Sequence, residues 1–292
     1  MSLSNSQSNI VLRERLIQNP LGVMQGRLLP KYQGRYQAHP VGSWQDEFPL
    51  AADLGLDCIE FILDFESAEV NPLLSVDGRK SIVNLVKENE VQVLSVCADY
   101  FMDVPLQSEE RINAKKSAKM LDQIIEISPE IGIKNIVIPC VDRSRLTNSD
   151  QHARLIDALS KSAERAEMNE VNLALETDLT PEEFLSLLQK VGSSSITINY
   201  DMGNSASNGF DPLVEFGTYG EMISDFHVKD RLFRGGSVML GEGDAQPNLV
   251  LQLLDELSYR GPIIMQVFRD DDGYASFLPQ YEVFLNYLKG YK

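Results

Sequence analysis

With 292 residues, 43% of them hydrophobic, the chain is long enough for two small domains or for one α/β barrel of about 250 residues. Its formal net charge of −17 argues against nucleic acid as a partner, because contacts to phosphates require a basic protein face. The three cysteines form no CxxC pair, which argues against a secreted disulfide framework, and no apolar run reaches the about 18 residues of a membrane span.

The N-terminal segment carries no recognisable targeting signal. Residues 1–9 are rich in Ser and Asn and contain neither a basic region nor an apolar segment behind one. Residues 1–18 are therefore predicted to form a disordered tail, and residues 19–292 a single domain. We expect a cytoplasmic protein.

Eight short apolar stretches along the chain are predicted to be strands. Each consists mainly of β-branched and aliphatic residues, and turn-forming residues separate it from the next element. In chain order they cover residues 20–27, 58–62, 91–97, 133–139, 171–176, 196–200, 222–228 and 262–267.

A helical pattern follows each predicted strand. Ser43 and Asp46 resemble a capping box at the start of the first helix, although Pro49 within it implies that the helix either kinks there or begins there instead. Thr180 with Glu183, and Asp211 before a proline, are typical of later helix starts. The helices are predicted at residues 43–55, 78–89, from 108, 149–168, from 181, from 212, 247–261 and 276–289.

This alternation predicts the fold. Consecutive strand–helix units require parallel pairing with right-handed crossovers, and eight such units can close on themselves. We therefore predict an α/β protein, a single-domain (β/α)8 TIM barrel. The alternative is an open doubly wound sheet, but its usual Gly-x-Gly-x-x-Gly turn after the first strand is absent. In such barrels the chemistry takes place at the C-terminal ends of the strands.

Four strand ends in the second half of the chain carry side chains that bind cations: Glu176, Asp201, His227 and Gln266. Carboxylate and amide oxygens together with an imidazole nitrogen suit a divalent metal such as Mn, Mg, Co or Zn. Each residue alone also has a plainer explanation, since a strand-end aspartate often caps the next helix and a lone histidine often belongs to the core. The joint pattern favours a metal site at the mouth of the barrel.

The same strand ends contain the segments Met24-Gln-Gly-Arg-Leu28, Asp201-Met-Gly-Asn204 and His227-Val-Lys-Asp230, in addition to Glu176. In these segments the chain, from about residue 20 to its C-terminus, resembles the xylose isomerase-like TIM barrels, in particular their sugar isomerase and epimerase branch. The resemblance implies a divalent metal, often Mn, held by Glu, Asp, His and Glu from strands five to eight. Glu176, Asp201 and His227 would take the first three places.

The sequence departs from the family at the fourth place, where Gln266 replaces the expected glutamate. In these epimerases both glutamates also act as acid and base on opposite faces of the substrate, and an amide cannot exchange a proton at ordinary pH. The resemblance therefore implies metal binding more readily than two-base epimerisation. In an alternative alignment, a carboxylate from residues 270–272 would fill the place.

Further polar residues on or after the strand ends are predicted to bind the substrate. Lys229 lies two residues after His227 and points to the same side of the strand, and the resemblance likewise implies a lysine in the pocket, so we predict a catalytic role for it as well. Arginines that converge would bind a phosphate or carboxylate group, although each arginine taken alone is more typical of a solvated loop. The predicted set is Arg27, Glu60, Asp99, Asn204, Lys229, Arg231 and Arg234.

The leading hypothesis is a metal-dependent isomerase or epimerase of a small carbohydrate, in which Glu176 abstracts a proton next to the carbonyl group. The alternatives are a dehydratase of a keto-sugar with the same metal and base, or a sugar-binding barrel that has lost catalysis. A DNA-repair endonuclease is disfavoured by the acidic charge and by the presence of only three histidines. Barrels of this family often associate, so a homo-oligomer is a further expectation.

Overall fold

A computed structural model describes residues 18–290, so the predicted tail lies outside the described residues except for residue 18. The described part forms a closed barrel of eight parallel strands, and the predicted (β/α)8 fold is confirmed. Each strand pairs with its neighbours in the chain, and the eighth pairs with the first. The strands are Leu21–Met24, Cys58–Ile62, Gln92–Cys97, Asn135–Cys140, Asn172–Thr177, Ile196–Asp201, Ile223–Val228 and Ile263–Met265.

Helices surround the barrel on the outside. The α-helices are Glu47–Asp53, Val76–Asn89, Tyr100–Asp103, Arg111–Ile131, Ser149–Met168, Pro181–Val191, Met202–Asn208, Pro212–Tyr219, Pro247–Glu256 and Tyr274–Leu288. Single 3-10 turns cover Tyr32–Gly34, Trp44–Asp46, Ala68–Val70, Pro72–Leu74, Asp142–Ser144 and Gly220–Met222. In the part of the chain that is described, no helix is both long and apolar enough to cross a membrane.

The core has two layers, because the inward and outward faces of the strands pack against different partners. The larger layer fills the space between strands and helices. A smaller cluster fills the barrel interior with Met24, Cys58, Ile62, Cys97, Val137, Ala174 and Ile264. Cys97 belongs to this interior cluster and Cys140 to the outer layer, and both are buried, in agreement with their small apolar side chains.

Several helix starts agree with the predicted caps. Thr180 accepts a hydrogen bond from the backbone N–H of Glu183, whose side chain reaches back to the backbone of Thr180, which completes a capping box. Asp211 caps the helix Pro212–Tyr219 by accepting from the N–H of Leu213. These caps satisfy backbone N–H groups that have no partner within the helix.

The first predicted cap is wrong. Ser43 and Asp46 make no capping hydrogen bond, and the helix begins at Glu47 after a 3-10 turn. Glu47 itself is fully buried and accepts hydrogen bonds from the N–H groups of Gly26 and Leu28, at 2.7 and 3.0 Å. The start of this helix is therefore set by a contact with the loop after the first strand, which local sequence does not reveal.

Close packing inside the barrel requires Gly22 in the first strand. A Cβ atom here would lie 2.8 Å from the carbonyl oxygen of Cys58 and 2.9 Å from Cδ1 of Ile264, and closer still to Cys58 Sγ. We expect Gly22→Ala to lower the free energy of unfolding by about 2 kcal/mol, because overpacking forces neighbouring strands apart. Chemical denaturation would measure this loss. In the control Gly217→Ala, the new Cβ meets no atom within 4 Å, and we expect no loss; equal losses in both variants would contradict the packing argument.

Candidate active site

A cavity of about 670 Å³ opens at the C-terminal ends of the barrel strands. It is the place where such barrels carry their chemistry, because the parallel strands all end at the same rim. Its walls include side chains from or just beyond several strand ends, namely Cys97, Asp99, Glu176, Asn204, Lys229 and Gln266.

Three side chains from neighbouring strands converge beside this cavity. Glu176, Asp201 and His227 offer ligand atoms that all lie within 4.8 Å of one another. Nδ1 of His227 is 4.0 Å from Oε2 of Glu176 and 4.0 Å from Oδ2 of Asp201. The pairing register places Asp201 directly opposite His227 on the adjacent strand, which explains why the two approach each other. The three groups are consistent with a divalent metal site.

A third carboxylate, that of Glu60, fixes the ring of His227. Nε2 of the imidazole lies 2.9 Å from Oε1 of Glu60, and the other carboxylate oxygen of Glu60, Oε2, accepts a hydrogen bond from the hydroxyl of Ser95. This leaves Nδ1 of His227 on the side of Glu176 and Asp201. A carboxylate behind a ligating histidine is the usual arrangement in metal sites, because it holds the ring and its tautomer in place.

Glu60, Asp225 and His227 form another group whose ligand atoms lie within 4.8 Å of one another. All three are completely buried, and none of them lines the cavity. Asp225 also accepts hydrogen bonds from Asn135 and from the backbone of Phe226. A metal would have no entry path to this inner group, so we interpret it as support for His227.

The carboxylate of Glu176 is held by two amides. Asn199 donates to Oε2 at 3.0 Å, and Asn204 donates to Oε1. Burial, followed by the charge of Asp201, raises the pKa of Glu176 to about 7. A carboxyl group with such a pKa is suited to accept and release protons near neutral pH.

The charge around His227 is strongly negative. Burial alone lowers the pKa of His227, but the carboxylates of Glu60, Glu176 and Asp225 outweigh this effect and raise the pKa to about 9. The site therefore favours a positive charge between its carboxylates. A divalent cation would satisfy the same preference, so the donor set and its electrostatics fit a metal ion.

Lys229 and Gln266 complete the rim next to Asp201. The ammonium group of Lys229 donates to Oδ2 of Asp201 and to Oε1 of Gln266, at 3.1 Å each. The amide nitrogen of Gln266 donates to Gln37 at 3.0 Å. The amide oxygen of Gln266 thus shares the ammonium group of Lys229 with a carboxylate of the candidate metal site.

The alternative carboxylates at residues 270–272 do not reach the cavity. They lie in an exposed loop, where Asp270 accepts hydrogen bonds from the backbone of Asp272 and Gly273, and Asp271 pairs with Lys31. Among the described residues that line the cavity, Gln266 therefore keeps the position after the eighth strand.

Comparison with known proteins identifies the family. A profile of the xylose isomerase-like TIM barrels matches residues 48–283, which is most of the chain. The chain belongs to the xylose isomerase-like TIM barrel family. The predicted family resemblance is thereby confirmed.

Individual known proteins are only distantly similar to this chain. L-ribulose-5-phosphate 3-epimerase UlaE of Escherichia coli strain K12 is 25% identical over 245 residues, which cover 80% of this chain and 86% of the relative. The crystal structure of IOLI protein with a bound zinc atom has a TM-score of 0.74 at 14% identity, covering 94% of this chain and 99% of that one. D-psicose 3-epimerase, crystallised in the presence of D-fructose, has a TM-score of 0.69 at 15% identity, covering 93% and 94%.

Of the seven predicted substrate-binding residues, four line the cavity of the present protein and three do not. Asp99, Asn204, Lys229 and Arg231 are part of the wall. The other three are turned elsewhere: Arg27, Glu60 and Arg234.

The three residues outside the cavity have other partners. Arg27 is buried and donates to the carbonyl oxygen of Val267 and to Gln37. Glu60 lies beneath the cavity against His227. Arg234 is exposed, and its guanidinium lies 4.9 Å from the centre of the Phe233 ring.

Sequence reasoning missed two residues of the site. Asn199 contacts both Glu176 and His227, and its position two residues before Asp201 on the same strand was a usable signal, because such residues share a face. Gln37 connects Asp99, Arg27 and Gln266 through its side-chain amide. It lies in the long loop after the first strand, where no periodicity indicates a direction.

Proposed function

We propose that this protein is a divalent-metal-dependent isomerase or epimerase that acts on a small sugar, a sugar phosphate or a related polyhydroxy carbonyl compound. The observation that carries the proposal is the convergence of Glu176, Asp201 and His227 beside the cavity at the C-terminal rim. The names of UlaE and of D-psicose 3-epimerase, both of which are similar to this chain, support sugar chemistry.

In this proposal Glu176, Asp201 and His227 hold the metal, and the amide oxygen of Gln266 is a fourth, neutral ligand. The donor set suits Mn, Mg, Co or Zn, and the zinc atom in the similar IOLI structure supports the assignment. When bound, the metal would polarise the substrate carbonyl and increase the acidity of the neighbouring carbon-bound hydrogen. Glu60 keeps His227 in the orientation that ligation requires.

Glu176 is the proposed base. Its carboxylate borders the cavity, and the amides of Asn199 and Asn204 fix its direction. It would take the proton from the carbon next to the carbonyl group and return it to the neighbouring carbon on the same face. Lys229, which also lines the cavity, would donate a proton to the carbonyl oxygen and take back the proton that the neighbouring hydroxyl releases as it becomes the new carbonyl group. Asp99 and Asn204 would bind substrate hydroxyl groups from the cavity wall.

Gln266 makes a one-base reaction the better-supported form. An amide neither takes nor delivers a proton at ordinary pH, so the second base of a two-base epimerisation is missing at this place. Turnover in deuterated water tests this scheme. A one-base isomerisation predicts label on the same face of the substrate as the lost proton. Inversion at carbon, with the label on the opposite face, would reject it.

A dehydratase of a keto-sugar is the second candidate function. The position of the Lys229 ammonium group in the cavity favours it. Loss of hydroxide requires a proton donor in the cavity, and an ammonium group is available there beside Asp201 and Gln266. Ultraviolet absorbance of an enone product would distinguish dehydration from isomerisation. A barrel that binds sugar without catalysis would turn over neither class of substrate, although it would still bind them.

Metal affinity should rise with pH between about 7 and 9. In the metal-free protein the pKa of Glu176 is raised to about 7 and that of His227 to about 9, so protons compete with the metal below these values. Titration of Mn²⁺ into the full-length protein at pH 6.5, 7.5 and 8.5 measures the trend. An affinity that stays constant over this range would contradict the assigned ligands.

A further inference from the structure

The charged side chains around the cavity differ in how their charge is balanced. Four basic residues line the wall: Arg35, Arg143, Lys229 and Arg231. Three of them form ion pairs within the described structure: Arg35 with Asp64 at 3.1 Å, Arg143 with Asp103 at 2.8 Å, and Lys229 with Asp201 at 3.1 Å. Arg231 alone among these four has no carboxylate partner in the described part of the chain.

Arg231 is nevertheless held firmly, by neutral groups. Its Nη1 donates to the side-chain oxygen of Asn204 at 2.7 Å, and its Nε and Nη2 donate to the carbonyl oxygen of Gly235 at 3.1 and 2.8 Å. These contacts use three of the five N–H donors of a guanidinium group. Two donors and the full positive charge are left for a ligand in the cavity.

The surrounding hairpin adds one further donor, the hydroxyl of Ser237. Arg231 and Ser237 are directly opposite each other in a short antiparallel ribbon, Asp230–Arg231 with Ser237–Val238, and both line the cavity. The hydroxyl of Ser237 has no hydrogen-bond partner among the residues that the structure describes, and Gly236 borders the same cavity without a side chain to block access.

The hairpin is also rigid, because a buried carboxylate anchors the segment behind it. Asp230 accepts hydrogen bonds from the N–H groups of Gly241, Gly243 and Ala245, at 2.8, 3.0 and 3.1 Å. Arg231 and Ser237 are therefore held in place before a ligand arrives. A site that is organised in advance loses less conformational entropy on binding.

We propose that Arg231 and Ser237 form an anion subsite that binds a phosphoryl group of the substrate. A guanidinium fork next to a hydroxyl donor matches the several oxygens of a phosphoryl group, and the charge is not already neutralised. Asn204 contacts both Arg231 and Glu176, so one side chain separates the subsite from the proposed base. This inference rests on the proposed function of the cavity and narrows its substrate to a phosphorylated sugar.

Calorimetric titration of the full-length protein with inorganic phosphate tests the subsite, once with Mg²⁺ and once with EDTA. We expect saturable binding in both conditions. Arg231→Gln should weaken it about tenfold or more, because a charge-assisted contact is lost. The matched control is Arg143→Gln, which removes an arginine of the same cavity whose charge Asp103 already balances, and its affinity should change less than twofold. Arg231→Lys, which keeps the charge but not the fork, should bind with intermediate affinity.

Three results would overturn the subsite: no saturable phosphate binding, equal losses in Arg231→Gln and Arg143→Gln, or binding that disappears with EDTA and thus belongs to a metal. Acetate, titrated in parallel, distinguishes the ligand class, since stronger binding of acetate would overturn the choice of a phosphoryl group. Circular dichroism establishes that the variants fold. Phosphate binding without any metal binding would leave the subsite intact while removing the proposed function.

Discussion

Replacement of Glu176 by glutamine should lower the turnover number on the order of 1,000-fold, because it removes the group that abstracts the proton. The amide keeps the size of the side chain and one oxygen that can approach a metal. The fold should therefore survive, and metal should still bind at saturating concentration, although with an affinity lowered about 100-fold as for any charged ligand of this site that is made neutral. Steady-state kinetics and metal analysis of the purified variant would separate the two effects.

Glu182→Gln is the matched control for this change. Glu182 is an exposed glutamate in the helix after the same strand, so its replacement alters the net charge equally without touching the cavity. Its turnover should equal that of the unmodified protein. Undiminished turnover in Glu176→Gln would remove this residue from the mechanism, whatever its contacts.

Asp201→Asn should weaken metal binding about 100-fold, since it replaces a charged ligand by a neutral one in a site that depends on its negative charge. The substitution is mild for the fold. Asp201 also caps the helix Met202–Asn208 by accepting from the N–H of Asn204 at 2.8 Å, and asparagine caps helices equally well. Titration with Mn²⁺ would measure the loss of affinity.

The control Asp211→Asn makes the same exchange at the N-cap of the next helix, Pro212–Tyr219, outside the cavity. Both variants lose one negative charge and keep a capping side chain, but only Asp201 lies at the candidate metal site, where it also pairs with Lys229. Metal affinity should be unchanged in Asp211→Asn. A similar loss in both variants would show that overall charge, and not ligation, determines the affinity.

The fold was predictable because periodicity and connection order leave few alternatives. Eight apolar stretches that alternate with helical patterns require parallel pairing, and a strand end at the C-terminal rim is then a specific location in space. The same argument predicted that the side chains of Glu176, Asp201 and His227 lie close together at this rim. Their convergence needed only strand membership and side-chain alternation, which are properties of local sequence.

Three of the predicted substrate-binding residues, Arg27, Glu60 and Arg234, do not line the cavity. The first strand stops at Met24, so the alternation no longer determines the direction of Arg27, which turns into the protein. Glu60 is in the middle of its strand, one layer below the rim, where it supports His227. Arg234 occupies the turn of the hairpin with a positive φ of 52° and points outward. The directions of Arg27 and Arg234 depend on contacts between loops, and the position of Glu60 depends on its depth in the barrel; the periodicity of the sequence predicts neither.

The sequence also does not show which arginine near the cavity is free to bind an anion. The sequence predicted Arg231 near the rim together with several other arginines, but it did not indicate which of them lacks a carboxylate partner. The ranking became possible only when the structure paired Arg35 and Arg143 with carboxylates and left Arg231 with neutral partners. Long-range ion pairs, which depend on the complete fold, thus decide which cation is available to a ligand.

The central claim is that Glu176, Asp201 and His227 ligate one divalent cation, and anomalous diffraction from crystals soaked in Mn²⁺ tests it most directly. We predict one strong peak per chain, about 2.2 Å from carboxylate oxygens of Glu176 and Asp201 and from Nδ1 of His227. If a crystal soaked at a saturating Mn²⁺ concentration shows no anomalous peak at this position, or shows the peak next to other residues, the claim is contradicted.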